Sequence, residues 1–154
     1  MHKHQEGLGR LHLLLALAAS VGLAVLLVPK YQEFVTRTQL TEAYSLAMQS
    51  QALLNEFYQV TNRFPNTAEE SDRMKTDALL APKIVRKVII DHEDPEHEIV
   101  IRVHIAGDVI GNGAGEDPVI FMTGNKSPQA GAMVQWQCGA KDIAPDLLPQ
   151  RCRS

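Results

Sequence analysis

Residues 91–98 read DHEDPEHE, two histidines among five carboxylates, the side-chain types that hold a divalent cation. Their spacing matches neither a calcium-binding EF-hand nor a structural zinc pattern, so the segment reads as a solvated hairpin turn before it reads as a metal site. The loop Asp108–Asp117 combines carboxylates with glycines but lacks the D-x-[DN]-x-[DN]-G spacing of a calcium loop; it is expected to be an exposed loop. Gly111, Gly113 and Gly115 do not sit in the strand-to-helix context that a dinucleotide or phosphate loop requires. No Ser/His/Asp or Cys/His set is placed for nucleophilic catalysis. The expectation is a protein that is not an enzyme, with no catalytic residue, no metal and no cofactor.

Two cysteines remain, Cys138 and Cys152, enclosing a polar loop with Pro145 and Pro149. There is no CxxC, and the C-terminal segment lacks the histidine pairs that a two-cysteine zinc site would need. Placed after an apolar N-terminal block, the pair suggests a disulfide formed in an oxidising compartment. A loop of that size contributes roughly 3 kcal/mol on the chain-entropy estimate. It would tie the C-terminal tail to the last strand.

The elements around these residues follow from hydropathy. Of the 154 residues 45% are hydrophobic, and 15 Lys+Arg face 18 Asp+Glu, a near-neutral balance with no general pull towards nucleic acid. From Asn62 onward 11 basic residues face 14 acidic ones. Lys126, Lys141, Arg151 and Arg153 are diluted by Asp142 and Asp146, so nucleic acid is a weakly supported partner. The apolar residues are uneven. Between Leu11 and Val28, 15 of 18 residues are apolar, with Arg10 and Lys30 outside them. As a helix this block is roughly 27 Å long, near the bilayer hydrocarbon thickness. A signal-type cleavage site at Ala16–Ala18 is the alternative, but the chain stays apolar through Val28, so the block is expected to be retained in the membrane.

Beyond Pro29 the helical period continues. Leu40, Ala43, Ala47, Ser50, Leu54 and Phe57 form a stripe flanked by Tyr44, Leu53 and Tyr58, while Arg37, Glu42, Gln49 and Glu56 fall mostly elsewhere. Pro29 removes one backbone donor without ending the helix, and Pro65 stops it near Thr61–Asn62. A short helix is possible around Ser71–Leu80. Strands are expected at Val85–Ile90, at Glu98–Ile105 with Ile99, Ile101, Val103 and Ile105 facing inward, at Val119–Thr123 and at Met133–Cys138. The fold class is α+β: a long N-terminal helix, half membrane-type and half amphipathic, packed on a four-stranded antiparallel sheet.

In this order the pieces resemble a type IV pilin or a pilin-like protein such as a minor pilin or pseudopilin. The leader MHKHQEG ends in glycine, and counting from Leu8 the proline at position 22 and the tyrosine two later are Pro29 and Tyr31. TNRFP is similar to the pilin helix end, and VQWQCG…LPQRCR to the family's last strand and cysteine region. The resemblance implies a leader 1–7 cut between Gly7 and Leu8 by a prepilin peptidase, and N-methylation of Leu8. It also implies an assembly helix 8–29 and a periplasmic or extracellular domain 30–154. Arg10, His12 and Pro29 would line the assembly register.

The function implied is a structural subunit of a type IV pilus-like filament serving adhesion, motility or DNA uptake. It would wait in the inner membrane of a Gram-negative cell and join other pilin subunits through an assembly platform. A membrane-tethered or secreted binding module and a type II secretion pseudopilin are the alternatives. The family usually has glutamate where this chain has His12, and an uncharged residue where it has Arg10. Resemblance gives that glutamate the task of pairing with a neighbour's amino terminus, which His12 cannot do. That departure points to a minor subunit, a different registry contact, a poorly assembling paralogue, or a histidine with no role at the membrane interface.

Overall fold

The computed structural model describes residues 5–75, 84–91, 94, 97–110, 118–127 and 134–153; for 5–11, 23–26, 29, 108 and 109 it describes the backbone alone. Helix α1 runs Gln5–Thr61 and continues through position 29. The chain divides into two units, Met1–Val35 and Thr36–Ser154. The described part of the first is helix alone. Its Leu13, Leu14, Leu15, Leu17, Val21, Leu27 and Val28 are all more than half exposed. Among the described residues no helix is long and apolar enough to cross a membrane. Side chains 11 and 23–26 of the Leu11–Val28 block lie outside the described residues.

In the second unit the remainder of α1 packs on a four-stranded sheet, as the hydropathy pattern implies. The strands are β1 (Val85–Asp91), β2 (Glu98–Ile105), β3 (Val119–Asn125) and β4 (Gln135–Lys141), antiparallel in the order β1-β2-β3-β4. Alternation decides which face of β2 is buried. Ile99, Ile101, Val103 and Ile105 are fully enclosed, and each such side chain contributes about 1.5–3 kcal/mol of transfer free energy. Register aligns them with Ile90 of β1 and with Ile120 and Met122 of β3. From α1, Leu40, Ala43, Ala47, Leu54 and Tyr58 join the same core, and Ser50 is buried beside them. The helix thus rests on the sheet through small side chains bracketed by two leucines.

The stripe read from the sequence is corrected at one edge. Phe57 of the stripe is only half-buried and Leu46, outside it, is buried; of the flanking residues Tyr58 is buried and Leu53 is 38% exposed. A period of 3.6 residues places 53 and 57 one step round the helix from the contact line. Helix α2 is short, Ala68–Arg73, and positions 76–80 of the expected helix lie outside the described residues. Gly107–Ile110, expected as loop, forms a single helical turn, α3. Strands β3 and β4 run further than the sequence pattern indicated, to Asn125 and Lys141, because Asn125 pairs with Gln135 and Lys141 with Val119. Met133 lies outside the described residues, and β4 begins at Gln135.

Candidate functional site

Helix α1 ends in a local motif built by TNRFP. Asn62 adopts the left-handed conformation (φ 54°) and donates its N–H to Tyr58 O at 2.7 Å, closing the last turn. The chain then folds back, so that the buried Phe64 ring lies 5.0 Å from that of Tyr58. Arg63 stacks over Phe57 at 5.2 Å and forks onto Glu70 through two bonds, 2.9 and 2.6 Å. Glu70 also accepts from Asn66 N–H at 3.1 Å, while its own N–H donates to Thr67 Oγ1 at 3.2 Å. Together these nearly form a capping box for α2. The Arg63 bonds, with the Asn66 N–H second, pull the Glu70 carboxyl from its ordinary 4.5 down to about 2. The same bond to Glu70 raises the Arg63 guanidinium above its ordinary value.

At the other edge of the sheet, Cys138 and Cys152 are joined in a disulfide, their Cα atoms 4.6 Å apart and 14 positions apart in sequence. It anchors the tail, two 3₁₀ turns at Pro145–Leu147 and Gln150–Cys152, to β4. Arg153 secures the tail to itself, donating to Leu148 O at 2.8 Å. Two aromatics complete this corner. The Trp136 ring lies over Gly124, its pairing partner on β3, and Phe121 lies over Gly139; a Cβ on either glycine would meet the ring at under 3.0 Å. Both glycine contacts follow from the β3–β4 register, which the alternation along either strand alone does not contain. For the Arg63–Glu70 pair the available signal was Thr67-x-x-Glu70, a capping-box spacing.

Of the histidine–carboxylate segment, Asp91, Asp94, His97 and Glu98 are described. Asp94 meets His97 Nδ1 at 3.1 Å, and Asp91 pairs with Arg102 across β1 and β2. Among the described residues no group of three His, Cys, Asp or Glu side chains could hold a metal ion. His92, Glu93 and Glu96, like loop residues 111–117, lie outside the described residues. Of the residues expected to set assembly, Gly7, Leu8, Arg10 and Pro29 lie on the α1 backbone with their side chains outside the described residues; His12 is exposed on the same helix.

The second unit is thus a helix laid on a four-stranded antiparallel meander, with a disulfide-bound tail at its edge. The chain belongs to the pilin family: the family model for pilin, a bacterial filament protein, matches residues 36–153. No curated protein matches the chain. Membership makes it a pilin-type filament subunit that assembles with other pilin subunits, in a family that is structural in role.

Proposed function

We propose that the chain is a type IV pilus subunit, inserted in the inner membrane by α1, processed between Gly7 and Leu8 by a prepilin peptidase, and then drawn into a filament. The observation that carries this reading is the set of exposed side chains Leu13, Leu14, Leu15, Leu17, Val21, Leu27 and Val28 on a helix of a pilin-family chain. Apolar side chains so exposed are stabilised in lipid or against other helices, and a helix satisfies its own backbone polar groups in either setting. Bundling such helices gives a filament core, with the sheet domain carried outside. An assembly platform in the inner membrane is the partner this route requires.

His12 favours a minor or atypical position in the filament. A carboxylate at that depth would be costly unless paired, so it would serve registry; an imidazole cannot supply the negative charge. The experiment is fractionation of fibres sheared from cells expressing the chain. Recovery in the fibre fraction supports the reading, and confinement to membranes at every expression level leaves a tethered binding module in its place.

A further inference from the structure

Two surfaces of the Thr36–Ser154 unit are left uncovered among the described residues. One is an open groove of about 670 Å³ whose walls include Tyr44, Met48 and Gln51 of α1 and Trp136 of β4, with Arg151 of the tail also lining it. Gln51, one of the groove's lining residues, has its Oε1 buried with no hydrogen-bond partner among the described residues. Arg151 is exposed, with no carboxylate paired to it among the described residues. The second surface is the back of the helix, where Val60 is 82% and Leu53 38% exposed. Glu56, between them in sequence, is exposed and likewise has no ion-pair partner among the described residues.

At about 100° per residue, Leu53, Glu56 and Val60 fall on one flank of α1, and Tyr44, Met48 and Gln51 on nearly the opposite one. We propose that the groove of one subunit receives the Leu53–Glu56–Val60 face of a second copy, Glu56 meeting Arg151 and the two aliphatic side chains covering Met48 and Trp136. The signs are opposite, and each surface offers apolar area that the other covers. Because the two patches lie on nearly opposite flanks of α1, the contact is head-to-tail, the kind from which an open helical filament is built. This inference rests on the filament reading and names the surface through which the sheet domains of successive subunits meet.

Charge exchange in the full-length chain tests it, with recovery in sheared fibres as the readout. Arg151→Glu alone and Glu56→Arg alone should each lower recovery about tenfold, and the double exchange should restore most of it. Both side chains are exposed, so an intact Cys138–Cys152 disulfide and an unchanged unfolding temperature verify folding. In a second arm, differently tagged copies carrying Met48→Cys and Val60→Cys should form a mixed disulfide-linked dimer within fibres. Single exchanges that leave recovery unchanged overturn the proposal, as does a double exchange as poor as the singles, which would place a different pilin or a small ligand in the groove. If wild-type chain never enters fibres, the filament reading itself fails and takes this contact with it. Entry of wild type without rescue defeats the contact alone.

Discussion

The indole N–H of Trp136 donates to Asn55 Oδ1 at 2.9 Å, joining β4 to α1 across 81 positions of sequence. The same ring covers Gly124, where an added Cβ would come within 2.8 Å of it. One side chain therefore fixes the helix, the edge strand and its neighbour together. Gly124→Ala should cost about 1–3 kcal/mol by forcing the ring off that position. Trp136→Phe should lose about 1 kcal/mol for the hydrogen bond, in addition to its packing loss. Urea unfolding of the detergent-solubilised chain, followed by circular dichroism, measures both. A Gly124→Ala protein as stable as wild type would contradict the stacking.

The disulfide gives a second expectation. Its removal by Cys152→Ser should lower stability by roughly 3 kcal/mol, the chain-entropy value for a loop of this length. Cys152 is also 2% exposed, within the core that holds Leu148. Limited proteolysis should then cut the tail after Lys141 or Arg151 at low protease concentration in the variant, while the wild-type tail persists. Equal tail survival in both proteins would show that packing alone holds it.

Acid should weaken the region after α1 through Glu70. A carboxyl with a depressed folded value contributes stability that is fully present above its unfolded value, near 4.5, and is lost as pH falls through about 2. Wild type should therefore be more stable than Glu70→Gln at pH 6, with the gap closing between about pH 4.5 and pH 2. Unfolding midpoints across that range measure it. A gap that is constant with pH would assign Glu70 a packing role and no electrostatic one.

Some of this was written plainly in the sequence and some was not. Ile99, Ile101, Val103 and Ile105 alternate, so their enclosure was readable from period alone. The long helix was equally readable, because apolar spacing, Pro65 and the following turn residues agree on its end. Phe57, at the edge of the stripe, is only half-buried, since a 3.6-residue period does not set how wide the buried stripe is. The Trp136–Asn55 bond and the glycine-covering aromatics depend on register and on contacts between distant segments. Local pattern carries neither. The groove beside Arg151 is likewise a product of how tail, strand and helix meet, and nothing in the spacing of Tyr44, Met48 and Arg151 announces it.

His12 yields a prediction about assembly. If the missing carboxylate limits registry, His12→Glu should raise recovery of the chain in sheared fibres several-fold, by supplying a charge that pairs with a neighbouring amino terminus. Quantitative immunoblotting of fibre and membrane fractions measures it. Unchanged recovery would mean that registry is set elsewhere on the helix.

The most direct test of the filament account is mass spectrometry of the chain's mature amino terminus, taken from sheared fibres. The account predicts a chain that begins at N-methylated Leu8 and is present in the fibre fraction. A chain beginning near Ala19, or one absent from fibres and found only with its first seven residues attached, would contradict it.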